Sequence, residues 1–374
     1  MPVLRRTAYI IPSSDVRLLI LSDVDDWDLG PRLTDAGHEI VAWVRNNWHD
    51  DRPQGRVYSK IASIARKVLS KGTPAELIVP IFHTPTWLEG QAIPRMTCPN
   101  VNDPGFVEQV GKLGIDIVAV CVFPQILKSP VLRAPKMGVI NCHPSLLPHY
   151  RGPQPTFWML KNGESMAGVT VHEMTERIDA GNIIAQRAIP ILADENAGHL
   201  RQRLNHAAAE ILAAAIDDLA TGSVGHEQPN EGDGSYFGKR RAEDSILDWS
   251  APAREIVDLL RALQPSEPLT ARWKGHAIRI YRAHVTDASF GTAVPGQIVH
   301  KRAGRLLVRA GSGSVEVTSY EIDRSHGWIN RILQRFLPPI GGRFDVDPGT
   351  PGVSGNGTSQ ARKAFAGTRT RSSV

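Results

Sequence analysis

Two different rhythms of apolar residues divide the chain. In the first half, unbroken apolar runs alternate with stretches of helical spacing. Arg17–Ser22, Glu39–Val44, Asp116–Val122 and Gly138–His143 have the length and continuity of strands buried on both faces, and a helix-length stretch carrying Leu29 and Leu33 separates the first two. Val57–Leu69 places Ile61, Ile64, Ala65 and Val68 on one side of a basic amphipathic helix. Ile183–Ile191 reads as another strand and His199–Leu219 as a long Ala- and Leu-rich helix. This alternation predicts an open α/β sheet, in which ligands bind beyond the carboxyl ends of the strands. The second half changes character. A short helix at Ile256–Leu263 precedes short segments at Thr270–Trp273, Ile278–His284, Gly296–His300, Arg305–Ala310 and Ser314–Tyr320, joined by Gly-bearing turns, which predict a small five-stranded β-barrel. The chain is therefore expected to divide into an α/β domain at 15–222, a linker at 223–243 and a barrel domain at 244–325. A tail at 341–374, rich in Gly, Ser, Thr and Pro, reads as disordered.

Composition narrows the class. With 41% apolar and 22% charged residues among 374, the chain is globular. No segment reaches the roughly 18 uninterrupted apolar residues that span a bilayer, and Arg5 and Arg6 precede only a short apolar run. No membrane association and a cytoplasmic location are expected. Cys98, Cys121 and Cys142 are an odd number without paired spacing, which suggests a reducing compartment and neither a disulfide framework nor a zinc site. The remaining histidines show no metal-ligand spacing, so no metal is expected. Of the formal charge of +5, three units fall in 341–374, where Arg343, Arg362, Lys363, Arg369 and Arg371 face Asp345 and Asp347. A nearly neutral folded body weakens the case for tracking a phosphate backbone. The first strand runs into Ser22-Asp23-Val24-Asp25-Asp26 and not into a Gly-x-Gly-x-x-Gly turn, so its charge would repel a pyrophosphate and a dinucleotide-binding role is disfavoured.

Candidate chemistry lies between Asn141 and Gly181. The sequence reads Asn141-Cys142-His143, then Ser145-Leu146-Leu147-Pro148-His149-Tyr150-Arg151-Gly152, then Gly168-Val-Thr-Val-His172 and Asp179-Ala180-Gly181. In these residues the chain resembles the formyltransferases that use 10-formyltetrahydrofolate, where an Asn-x-His pair, a Ser-Leu-Leu-Pro-x-x-Arg-Gly loop and a distant Asp-x-Gly occur in this order. The resemblance implies a Rossmann-like α/β formyltransferase domain followed by a small OB-like β-barrel, and a catalytic trio of Asn141, His143 and Asp179. The chemistry is consistent with it. An amine attacking a formyl carbon creates an oxyanion, which the Asn141 amide and the His143 ring can stabilise from one strand face; a carboxylate can support the imidazole and receive the amine proton. Cys142 lies between the two candidates, but its side chain should point to the opposite face.

For the folate donor, a flat heterocycle wants an apolar slot with a few fixed polar groups. Phe123, Ile126 and Leu127 are expected to supply the wall, backbone groups near Ile178 the hydrogen bonds, and Ser145, Leu146, Leu147, Pro148, Arg151 and Gly152 the rim. Arg151 could pair with a ligand carboxylate or form an internal salt bridge. The acceptor is harder to read. Asn100-Val101-Asn102-Asp103-Pro104, His172, Arg177, Ala180, Ala185-Gln186 and Phe237-Gly238-Lys239-Arg240 resemble the branch that formylates amino sugars, whereas Asp51–Arg56 resembles the start of a basic loop that grips transfer RNA. The reading favours a small-molecule amine over methionyl transfer RNA. A hydrolase releasing formate and an idle folate-binding module are the alternatives of other classes. Ala75–Met96 resembles neither branch; it reads as an extra surface hairpin or as an acceptor-side loop presenting Phe82, His83 and Trp87.

Overall fold

The computed structural model describes residues 16–24, 28–46, 87–228, 234–274, 276–286, 288, 291–302, 304–322 and 338–345. The expected helix at 57–69, the loop at 51–56, Phe82, His83 and the segment from 346 onward lie outside these residues. The chain divides into two compact units: 1–143 with 169–187 and 205–228, and 144–168 with 188–204 and 229–374.

Within the first unit, apolar continuity produces a central sheet. In chain order the elements are β1 (Arg17–Leu21), α1 (Leu29–Asp35), β2 (Glu39–Arg45), β3 (Arg95–Thr97), α2 (Pro104–Lys112), β4 (Ile117–Cys121), α3 (Ser129–Arg133) and β5 (Gly138–His143). After α4 (Pro155–Lys161), which belongs to the second unit, come β6 (Met166–Glu173), β7 (Ile183–Pro190) and α5 (Ala197–Ala220), each of them only partly within the first. The strand order is β3-β2-β1-β4-β5-β6-β7. Neighbouring strands from β3 to β5 run parallel, while β6 runs antiparallel to β5. Every residue of β4 is buried, as a strand covered on both faces requires. Leu19, Leu21, Val118, Val120 and Val139 form the core with Phe106 and Val110 of α2 and Leu132 of α3.

Two local devices hold the carboxyl-end loops. The Asp103 carboxylate caps α2 by accepting from the Gly105 amide at 2.9 Å, with Pro104 in the first turn where its missing N–H costs nothing. Asn102 and Gln125 then fix the loop after β4. The Asn102 side chain donates to Ile126 O (2.9 Å) and accepts from Lys128 N (2.7 Å), and Gln125 accepts from Val101 N (2.9 Å) while donating to Cys98 O (2.9 Å). Of the sequence segment at 75–96, a 3-10 turn at Trp87–Gly90 and the edge strand β3 are described. Trp87 lies against α1 so closely that a Cβ on Gly30 would meet its ring at 2.1 Å. Trp87 thus packs, and Leu88 beside it is buried.

In the second unit, α6 (Ala253–Leu263) is followed by β8 (Leu269–Trp273), β9 (His276–Thr286), β10 (Ile298–Arg302), β11 (Arg305–Arg309) and β12 (Ser314–Ile322). These five strands form an antiparallel sheet in the order β10-β11-β12-β9-β8, the C-terminal OB-like element. Ala253, Ile256, Leu260 and Leu263 line the buried side of α6 at helical spacing. The segment expected as a tail begins inside this structure. Arg343 bridges to Gln297, and Phe344 is buried with its ring stacked on Trp249 at 5.1 Å.

Candidate active site

Alternation along β5 sends Asn141 and His143 to one face and Cys142 to the other. Pairing with antiparallel β6 then sets His172 opposite Asn141 and Thr170 opposite His143. On this face Asn141 Nδ2 lies 3.1 Å from His172 Nε2, and His172 Nδ1 lies 2.8 Å from the Glu173 carbonyl oxygen. A carbonyl can only accept, so Nδ1 carries the proton; in the neutral ring Nε2 then accepts from the Asn141 amide. His172 therefore fixes which way Asn141 points, and the second N–H of that amide remains for an incoming oxygen.

The loop after β6 folds back over the same face and brings Asp179 to both rings. Its carboxylate oxygens stand 3.7 Å from His143 Nδ1 and 3.7 Å from His172 Nε2. His143 and His172 meet edge to face, with centroids 6.4 Å apart. All three are largely buried, so Coulombic support from the carboxylate is little screened. With Nδ1 turned to Asp179, His143 directs Nε2 away from it; a ring that donates from both nitrogens, to the carboxylate and to an oxygen beyond, is the doubly protonated one.

The turn carrying Asp179 is tight. Asp179 has φ of 50°, a left-handed conformation that Asp tolerates better than most residues, and a Cβ at Gly181 would meet the Glu173 carbonyl oxygen at 1.9 Å. Glycine is obligatory at that second position. Gln228 completes the turn by donating from Nε2 to Asp179 O (3.0 Å) and Gly181 O (2.7 Å).

Cys142 is buried, and burial pushes its thiol far above the ordinary range. It is not an available nucleophile. Around the expected donor slot, Ile126 is 67% exposed and Ile178 is 46% exposed. Phe123 is partly buried against the core, whereas Leu127 is buried within it and packs with Val131 and Val139. Val122, at the end of β4, holds φ of 49° although it is β-branched, a strained conformation that persists only where its surroundings impose it. The remaining expected residues form one loop of the second unit. Ser145 Oγ donates to His149 O at 2.7 Å; Leu147, Pro148, Arg151 and Gly152 are buried, and Leu146 is partly exposed.

Sequence reasoning did not assign His172 or Gln228 a part in the site. His172 could have been found only by recognising Met166–Glu173 as a strand beside β5, which would place it opposite Asn141. Gln228 carried no signal, because its contact spans 47 residues.

Among known proteins, the formyl transferase family matches residues 32–216, and the formyl transferase C-terminal domain matches residues 239–327. Methionyl-tRNA formyltransferase of Roseiflexus castenholzii is 34% identical over 75% of this chain and 82% of its own length. Methionyl-tRNA formyltransferase of Geobacter sulfurreducens is 30% identical over 85% of this chain and 90% of its own. Among solved structures, HypX from Aquifex aeolicus in complex with tetrahydrofolic acid matches with a TM-score of 0.54 and 17% identity, over 87% of this chain and 48% of that longer one. The sugar 3N-formyltransferase WlaRD, solved with dTDP and 5-N-formyl-THF, matches with a TM-score of 0.53 and 16% identity, over 83% of this chain and 98% of that one. These two share the fold. The two matched regions together with the extent of the methionyl-tRNA formyltransferase matches place the chain in the formyl transferase family.

Proposed function

We propose that this formyltransferase moves the formyl group of 10-formyltetrahydrofolate to the amino group of methionyl-tRNA. The observation that carries formyl transfer is the single polar face of β5, where Asn141 and His143 stand side by side with Asp179 3.7 Å from the imidazole. Attack by the uncharged amine moves an electron pair onto the formyl oxygen; the Asn141 N–H and His143 Nε2–H donate to that oxygen, and Asp179 takes up the amine proton directly or through water. The C–N bond to the folate nitrogen then breaks, that nitrogen regains a proton, and tetrahydrofolate and the formamide leave.

The donor suits the carboxyl-end loops of the first unit. Val122, Ile126 and Ile178 are exposed apolar side chains in two of these loops. They offer the apolar surface a pterin needs, and backbone groups near Ile178 the polar contacts. Leu127 supports that wall from the core behind it.

The acceptor assignment follows the relatives named methionyl-tRNA formyltransferase, 30–34% identical over 82–90% of their length. It replaces the small-molecule amine favoured by the sequence alone. Four of the residues that suggested an amino-sugar acceptor have internal contacts here: Asn102 and Asp103 fix a loop and cap a helix, His172 orients Asn141, and Gln186 donates to Thr170 at 2.9 Å. The small amine remains a second reading on one observation, the nearly neutral charge of the chain before 341.

Salt separates the two. Transfer RNA held through six or more phosphate contacts loses affinity by on the order of a thousandfold between 50 and 200 mM salt, whereas a small amine changes by small factors. Steady-state formylation of methionyl-tRNA and of nucleotide-linked amino sugars over that range is the measurement. Turnover of the sugar alone, with a shallow dependence, would overturn the transfer-RNA assignment and leave the donor chemistry standing.

A further inference from the structure

The segment between the two matched regions, 217–238, falls within or beside the stretch that reads as a mere linker. Among its described residues, Gln228 bonds to the Asp179 turn and Ser235–Gly238 pack on and bond to residues 148–158. We propose that this connecting segment is a positioning element for the reaction, with Gln228 setting the Asp179 turn and Ser235–Gly238 setting the loop that begins one residue after His143. The proposal rests on the assignment of Asp179 and His143 to formyl transfer.

In the first unit, one side-chain amide spans the turn. Gln228 Nε2 donates to the carbonyls on either side of Ala180, at Asp179 and Gly181. Two carbonyls pointing at one donor fix the backbone direction exactly where Asp179 takes its left-handed φ. The neighbouring backbone secures the exit of the turn, since His226 and Ile183 exchange N–H···O bonds of 2.9 and 2.8 Å. A Cβ at Gly225 would come within 2.9 Å of the Ile183 oxygen. Losing Gln228 leaves Asp179 in place chemically but frees its carboxylate to turn from His143.

In the second unit, the same segment is paired along the loop. Arg151 N donates to Ser235 O (2.9 Å), Phe237 N to Arg151 O (2.9 Å), Tyr150 N to Ser235 Oγ (2.9 Å) and Ser235 N to Pro148 O (3.2 Å). The Phe237 ring is stacked between Tyr150 and Trp158, at 4.9 and 5.2 Å, and the Trp158 indole donates to Gly238 O at 3.0 Å. Such support is needed. Tyr150, Gly152 and Gln154 have φ of 58°, 96° and 61°, three left-handed residues within five positions, and such a backbone keeps its shape only when neighbours determine it.

The test is a double-mutant cycle in the full-length chain. Gln228→Ala should lower kcat about tenfold and shift its pH profile, with little change in the KM for donor, and in an Asp179→Asn background it should cost less than about twofold, because residues acting as a unit are not additive. An equal loss in both backgrounds would overturn the role. Gln228→Glu, which keeps the length but removes the donor N–H, serves if the alanine variant does not fold. Hydrogen exchange gives a readout independent of activity. Gln228→Ala should raise exchange at 179–183 and Phe237→Ala at 147–152, with Phe237→Tyr restoring protection; unchanged protection in both alanine variants would overturn the proposal. Full activity of Asp179→Asn would instead remove the catalytic assignment, while the exchange data still decide whether the segment holds the loops.

Discussion

The two sheets of this chain use their strands differently. In the five-stranded sheet the inward side chains of β8, β9 and β11 are apolar, from Leu269 and Trp273 to Ile278, Ile280, Leu306 and Val308. In the seven-stranded sheet, β5 and β6 interrupt an equally apolar interior with Asn141, His143, Thr170 and His172 on a single face. Buried polar side chains persist only where each finds a partner. A cluster of them at one strand end is the feature on which the proposed site rests. Substitutions should therefore separate stability from activity according to sheet.

The largest expected effect is on stability. Phe344→Ala removes a fully buried ring stacked on Trp249 and should cost about 3 to 5 kcal/mol in denaturant unfolding, while kcat of the protein that remains folded stays within about twofold. A comparable loss of kcat would break the contrast. Next come Asn141→Ala and His143→Ala, each expected to lower kcat about a hundredfold or more, roughly 3 kcal/mol in the barrier, with the melting temperature nearly unchanged. Near-normal turnover in either would remove the oxyanion role.

A smaller effect sharpens the picture at the rim. Ile126→Arg changes an exposed side chain; it should raise the KM for donor about tenfold, roughly 1.4 kcal/mol, without loss of stability. Unchanged donor affinity would place the pterin elsewhere. Smallest is Arg305→Ala, which breaks an exposed pair with Glu316 at 3.6 Å and should move the unfolding free energy by less than about 0.5 kcal/mol.

Much of this was legible in the sequence because the signals are local. The strand at Gly138–His143 was bounded to the residue, and the five barrel strands matched within about two residues at most ends, since alternation and Gly-bearing turns act over short distances. Asn141, His143 and Asp179 were legible as a group because their spacing is a motif, and the structure brings His143 and Asp179 within 3.7 Å. Other features depend on tertiary pairing. Met166–Glu173 was not identified as a strand, so the meeting of His172 and Asn141 could not be foreseen. Leu127 looked like a slot residue in sequence, but only packing shows that Ile126 faces out and Leu127 in. Likewise, the sequence did not show that Asn102 fixes the loop after β4, because its contacts depend on tertiary structure, whereas the Asp103 cap is local and was not identified.

The Gln228 contact also bears on protein engineering. A chimaera that kept residues 1–222 and took everything beyond from another formyltransferase would import a foreign residue at the position that bonds Asp179 and Gly181. Its first domain would carry Asn141, His143 and Asp179 and still lack the two hydrogen bonds that hold the Asp179 turn. Junctions placed after Gly238 would carry this part of the site over intact, so the natural place to cut lies later than the composition of the chain suggests.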